Sequence, residues 1–196
     1  RGVAKLPPAH WLRFDRERVT VERYWTPPVE GCKRVGIEQV LSAAVKQRLM
    51  SDVPLGAFLS GGIDSSIIVG LMSRHSRVKT YSIGFRDQHS ALNELRYARL
   101  AAQHFGTDHT EVVLTGEEVT RAFDDLVWSI DQPSLDGTNT YFVSRATRQG
   151  VTVSLSGLGG DELLAGYPQF RRFVDAARRL WPARLSDIKF MLSGPS

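Results

Sequence analysis

Four short apolar runs, Leu55–Leu59, Val78–Phe85, Asp108–Leu114 and Val151–Leu155, are separated by stretches whose apolar residues recur at helical spacing. The clearest of these is Asp64–His75, with Ile67, Ile68, Leu71 and Met72 on one face. Others are Glu94–Phe105, Glu117–Ile130 and a stretch near Thr138–Gln149, and one more, Gly36–Met50, precedes the first run. Strands interleaved with helices pair in parallel through right-handed crossovers. The fold class expected is therefore α/β, a parallel sheet with helices on both faces, and ligands belong where its strands end in glycine turns.

Two strand ends share one grammar. Leu55–Leu59 runs into Ser60-Gly61-Gly62-Ile63-Asp64-Ser65-Ser66, and Val151–Leu155 runs into Ser156-Gly157-Leu158-Gly159-Gly160-Asp161-Glu162. Each turn offers a hydroxyl and glycines, then a carboxylate at the opening of a helix. Glycines let the backbone approach a ligand and turn its N–H groups inward, and a helix N-terminus adds partial positive charge, so each turn suits an anion such as phosphate. A carboxylate beside polyphosphate is repulsive unless a cation intervenes, and Mg²⁺ binds one or two carboxylates together with phosphate oxygens and water. Asp64 and Asp161 are accordingly paired as ligands of shared Mg²⁺. One such turn alone would be explained as an ordinary helix cap; two of the same construction favour a site. The chain has neither GxxxxGK[ST] nor a GxGxxG after a strand, so the Walker and dinucleotide loops are excluded.

Ser60–Ser66 resembles the SGGxDSS pyrophosphate loop of the N-type ATP pyrophosphatases, the adenine nucleotide alpha hydrolase-like enzymes. Ser156–Tyr167, SGLGGDELLAGY, is similar to the signature of the synthetase domain of glutamine-hydrolysing asparagine synthetases and the related β-lactam synthetases. The resemblance extends through Tyr81-Ser82-Ile83-Gly84-Phe85, Asn93-Glu94, Tyr97-Ala98 and Gly106-Thr107-Asp108-His109. Leu6-Pro7-Pro8-Ala9-His10 and Tyr24-Trp25 resemble the join between the glutaminase and synthetase domains. The expected organisation is a connector over residues 1–32, following a glutaminase domain that lies outside this sequence. The N-terminal part of an ATP-binding synthetase domain would fill residues 33–196, as a piece of a longer protein that is inactive by itself.

The resemblance implies a ligase that adenylates a carboxylate with ATP. Pyrophosphate leaves, and ammonia released from glutamine then displaces AMP to form an amide. Ser60, Gly61, Gly62, Ser65 and Ser66 would cradle pyrophosphate, while Asp64 and Asp161 hold Mg²⁺ and act at the reacting centre. Phe58, Leu59, Ile83 and Gly84 would hold adenine and ribose, with Ser156 and Gly157 also against the nucleotide; Ile83 reads equally well as a core strand residue. Leu158 stands where asparagine synthetases often carry an acidic residue tied to forming the aspartyl-adenylate. Either Glu162 or a group outside this segment takes that role, with aspartate as the acceptor, or the acceptor is a related carboxylate instead. A β-lactam synthetase, another biosynthetic amidotransferase and an RNA-modifying member of the loop family stay open as alternatives.

Composition narrows the partners. With 25 Lys+Arg against 21 Asp+Glu the formal charge is +4, too small an excess to imply nucleic acid. The basic stretch Phe170–Arg184, with Arg171, Arg172, Arg178, Arg179, Arg184, Leu180 and Trp181, reads as an amphipathic helix rather than an RNA-binding stripe. A single cysteine, Cys32, permits no intramolecular disulfide, agrees with a cytoplasmic setting and reads as a packing residue. No apolar run is long enough for a bilayer. His75, His89, His104 and His109 match no zinc spacing and read as surface or capping residues. Glu117, Glu118, Asp124 and Asp125 fall on the wetted side of one long helix. Asp136, Thr138 and Asn139, in a loop containing Pro133, read as a helix cap or as acceptor contacts. The partners expected are ATP, the carboxylate, ammonia from a glutaminase domain of the same full-length chain, and a second copy in a homodimer.

Overall fold

The computed structural model describes residues 2–27, 36–86, 94–132, 134 and 137–180, the last four by backbone alone. Cys32, His89, Asn93, Pro133, Asp136, Trp181 and Arg184 lie outside the described residues, as do the side chains of Arg178, Arg179 and Leu180. The chain divides into two compact units, residues 1–40 and 41–196.

In the first unit, β1 (His10–Asp15) and β2 (Arg18–Arg23) form an antiparallel hairpin in which Asp15 lies opposite Arg18. The apolar–polar alternation of Arg18–Glu22 is thus one arm of a two-stranded ribbon. Helix α1 (Ile37–Arg48) crosses the boundary between the units, and its later residues Leu41 and Val45 join the core of the second.

The second unit runs β3 (Leu55–Phe58), α2 (Ile63–Ser73), β4 (Lys79–Phe85), α3 (Leu95–Phe105) and β5 (Asp108–Leu114). It continues through α4 (Gly116–Arg121), α5 (Phe123–Ile130), α6 (Gly137–Thr147), β6 (Val153–Leu155), α7 (Gly160–Leu164) and α8 (Pro168–Leu180). The expected single helix over Glu117–Ile130 is two helices. Ala122 leaves the helical region at φ −89°, ψ 3°, and the bend lets Val119 and Leu126 reach one apolar cluster. Thr115 opens α4 through a capping box with Glu118. Gly106 closes α3 in the left-handed conformation, φ 64°, where the N–H of Thr107 reaches back to the Ala102 carbonyl.

The sheet order is β5-β4-β3-β6 and every pairing within it is parallel. Alternation along β4 shows that both faces are covered. A β-carbon at Gly84 would stand 2.5 Å from the Leu95 side chain on α3, so Gly84 faces α3. The adjacent Ile83 points the opposite way, into the cluster of Ala122, Leu126 and Phe142 from α4–α6. The larger core joins Ala57 and Leu59 to Val69 and Met72 of α2 and Ala98 and Ala102 of α3. Complete burial of side chains such as Leu59 and Met72 stabilises by roughly 1.5–3 kcal/mol each.

The order in which the chain visits the strands creates the site. It proceeds outward from β3 to β4 and β5, then returns past β3 to add β6 on the other side. Such a reversal leaves a crevice at the carboxyl ends of the two strands flanking it, here β3 and β6.

Candidate functional site

Both serine-headed turns leave the sheet at that crevice. Ala57 of β3 lies opposite Leu155 of β6, so the chain departs from adjacent strands into Ser60 and Ser156. In the first turn the Ser60 hydroxyl accepts from the Gly62 N–H at 3.2 Å and lies 3.0 Å from the Ser65 hydroxyl, which itself donates to the Gly62 carbonyl at 3.2 Å. These bonds hold the loop from within. Gly62 caps α2 without a side-chain bond to the helix, so the first amides of α2 stay available to an anion. Gly61 has φ +82°, and any β-carbon there would collide with the Tyr97–Ala98 backbone at the start of α3.

The second turn is built on the first. A β-carbon at Gly157 would stand 2.6 Å from the Ser65 nitrogen, and one at Gly160 would stand 2.5 Å from Oδ2 of Asp64. The Asp64 carboxylate therefore abuts the residue preceding Asp161, and the two acid-bearing turns converge. Ser156 accepts from the Leu158 N–H at 3.1 Å, Gly159 caps α7 at φ 100°, and Leu158 projects outward, 85% exposed. Tyr167 donates to Glu162 at 2.8 Å, and this bond holds the Glu162 carboxyl below the usual carboxylate range. Two carboxylates at adjacent openings are hard oxygen donors of the kind Mg²⁺ accepts. Among the described residues no cluster of three or more His, Cys, Asp or Glu forms, so a cation here would complete its shell with oxygens from a ligand and water.

Beside the turns lies a cavity of about 380 Å³, within the range of small-molecule sites. Of the residues anticipated from sequence, Phe58, Leu59, Ser60, Ile83 and Gly84 line it. Gly61, Gly62, Asp64, Ser65, Ser66, Ser156, Gly157 and Asp161 belong instead to the paired turns, and Ser60 is common to both. The wall also includes Glu94, Asn139, Thr140 and Val143. Glu94 carried a sequence signal only through its place after Asn93, and Asn139 as a helix cap or an acceptor contact; neither reveals that α3 and α6 close the cavity.

Backbone groups face this cavity as well. The β3–β4 ladder ends at Phe58 opposite Tyr81, where the Leu59 N–H donates to the Tyr81 carbonyl at 2.9 Å. The β4–β5 ladder runs on to Phe85 opposite Leu114. Main-chain groups of alternate residues in a strand point to alternate neighbours. Tyr81 bonds toward β3, so Ile83 presents its N–H and C=O to the same side, where β3 has already turned away. Leu59, just 1% exposed, gives its carbonyl to the Ser82 hydroxyl.

Among the described histidines, His109 departs from the expectation of a surface or capping role. Its Nδ1 lies 2.9 Å from the Thr80 hydroxyl and its Nε2 3.5 Å from Glu111, which Arg99 holds bidentately at 2.6 and 2.7 Å. Burial pushes the imidazole below its ordinary range, while Glu111 opposes that shift. Glu117, Glu118, Asp124 and Asp125 are exposed as expected. Among the described residues no helix is long and apolar enough to cross a membrane.

The family model described as asparagine synthase matches residues 36–193. A relative from Methanocaldococcus jannaschii, carrying the provisional name of a glutamine-hydrolysing asparagine synthetase, is 37% identical over 85% of this chain and 34% of its own length. Asparagine synthetase (glutamine-hydrolysing) 1 of Bacillus subtilis is 38% identical over 69% of this chain and 22% of its own. The chain thus spans about a third or less of these relatives. A solved structure of ammonia-dependent NAD synthetase from Campylobacter jejuni, 16% identical, aligns over 67% of this chain and 59% of that one with a TM-score of 0.45.

Proposed function

The chain belongs to the asparagine synthase family, and on that premise we propose that it is the ATP-binding part of an amide ligase acting by adenylation. The observation carrying this reading is the convergence of the Ser60 and Ser156 turns at the switch between β3 and β6, with a cavity beside them.

In this reading adenosine occupies the cavity between Phe58–Leu59 and Ile83–Gly84. The unpaired N–H and C=O of Ile83 complement the N1 acceptor and N6 donor of adenine. The triphosphate then extends past Ser60 into the first turn, where the Gly61 and Ser65 amides and the Ser60 and Ser66 hydroxyls meet its terminal phosphates, with Gly62 holding the turn through its N–H to Ser60. Ser156 and Gly157 close over it from the second turn. Asp64 and Asp161 hold Mg²⁺, which when bound neutralises phosphate charge and draws off electron density from phosphorus.

A substrate carboxylate oxygen attacks the α-phosphorus, a new P–O bond forms, and the bond to pyrophosphate breaks. Ammonia then attacks the acyl carbon and AMP departs. What this chain contributes is position and a fixed set of donors where negative charge accumulates. Aspartate or a related carboxylate is the acceptor, and the ammonia comes from a glutaminase domain of the full-length protein. Residues 1–32 are the connector to that domain, the setting is cytoplasmic, and the full-length protein acts as a homodimer.

The test is a product assay on the full-length protein with ATP, glutamine and a panel of amino-acid carboxylates. AMP and pyrophosphate in equal amounts, dependent on one carboxylate, are expected; ADP and orthophosphate would refute adenylation.

A further inference from the structure

Ser82 is 4% exposed and belongs to neither glycine turn, yet its hydroxyl donates to the carbonyl of Leu59, the residue at which β3 leaves the sheet. That carbonyl needs a partner. In a parallel ladder continuing past Phe58 and Tyr81 it would accept from the Ile83 N–H, and that bond is missing because the register stops one step earlier. A buried carbonyl with no partner is costly, so strands can part here only if another donor replaces the ladder bond. We propose that Ser82 is the positioning residue of the nucleotide cavity: its hydroxyl satisfies Leu59, so that β3 can turn into the Ser60 loop while the Ile83 N–H stays free to read a purine edge.

The side-chain geometry agrees with this role. Ser82 and Gly84 lie on the α3 face of β4, the face away from the Ile83 side chain. Ser82 borders the cavity, but its hydroxyl is committed to the Leu59 carbonyl and so supports the strand end rather than donating to a ligand. Alanine at this position leaves the Leu59 carbonyl two choices, to stay unpaired or to recapture the Ile83 N–H. The second closes the ladder and removes the donor from the cavity.

The inference rests on the proposed nucleotide site, and two measurements on the full-length protein separate them. Amide exchange of the ligand-free wild type should show Ile83 unprotected beside a protected Tyr81. In Ser82→Ala the Ile83 amide should slow about tenfold or more, the equivalent of one regained hydrogen bond. Equal protection of Tyr81 and Ile83 in the wild type overturns the proposal without need of any variant. Titration with ATP and with 1-deaza-ATP, which lacks the N1 acceptor, gives the second readout. The wild type should prefer ATP; Ser82→Ala should bind ATP about tenfold more weakly and lose the preference, and Ser82→Thr, which keeps the hydroxyl, should retain it. Wild-type affinity and preference in Ser82→Ala sinks the role of Ser82 while leaving nucleotide binding intact. Failure of the wild type to bind either nucleotide, with the exchange pattern as described, refutes the nucleotide site and upholds the open ladder.

Discussion

Gly157 sits so close to Ser65 that a β-carbon on it would stand 2.6 Å from the Ser65 nitrogen and 2.8 Å from the Asp64 carbonyl carbon. Residues 92 positions apart in sequence thus share a backbone-to-backbone contact, and the two turns behave as one structure. Neither wall can yield, because what a side chain would strike is main chain at the start of α2.

Gly157→Ala should therefore separate the turns. Forcing a methyl group into a packed contact costs typically 1–3 kcal/mol, and here the displaced elements are those that carry Asp64 and Asp161. A lowered melting temperature together with loss of ATP binding is expected. Wild-type binding by this variant would show that the turns need not touch to form the site.

Asp161→Asn tests the shared cation. The amide keeps the shape of the carboxylate and removes its charge, so folding should survive. The Mg²⁺ dependence of pyrophosphate release should move to higher concentration, and the rate at low Mg²⁺ should fall about a hundredfold, in keeping with the several kcal/mol a bound metal contributes. An unchanged Mg²⁺ dependence refutes the pairing with Asp64.

The sheet and the two turns were readable from residues 55–161 because their signals are local: apolar runs of strand length, helical periodicity between them, and glycine placed at each strand end. The break at Ala122 was not, since alanine favours helix and only the position of the cluster around Leu126 and Phe142 demands the bend. His109 was misjudged for a related reason. Its surroundings depend on Thr80 of β4 and on Arg99 of α3, which holds Glu111, and no spacing rule connects these. The far wall of the cavity was legible only in part: Asn139 reads as a helix cap or an acceptor contact, but that it and Thr140 reach the cavity follows only from the packing of α6 on β4.

His109 should make stability depend on pH. Burial among Thr80, Thr107, Glu111 and Arg99 holds its folded pKa below the ordinary value of 6.5, although Glu111 resists. A group with a depressed folded pKa contributes stability that is present above its unfolded pKa and is lost as pH falls through the folded one. Melting temperature should therefore decline on acidification below about 6.5, and His109→Gln should flatten that part of the profile. A His109→Gln profile parallel to the wild type would assign the decline to other groups.

Leu158 bears on the acceptor. It is 85% exposed in the second turn, between glycines, and its N–H is held by Ser156. A leucine side chain offers neither charge nor hydrogen bond, and exposed on a turn it gains little from burial; nothing in the fold requires it. The neighbouring Glu162 is already engaged by Tyr167, so the turn presents no second carboxylate free of a partner at that point. Leu158→Glu introduces one, of the kind asparagine synthetases often carry here. If this position selects the acceptor, kcat/KM for aspartate should change by about tenfold or more relative to other carboxylates, as expected when a polar contact is added or withheld at a reacting centre. The KM for ATP should change little, because the Leu158 side chain projects outward from the turn whose Ser156 and Gly157 close over the nucleotide. An unaltered ranking of acceptors would remove Leu158 from the determinants of specificity and direct attention to Glu94 and Asn139 at the cavity wall.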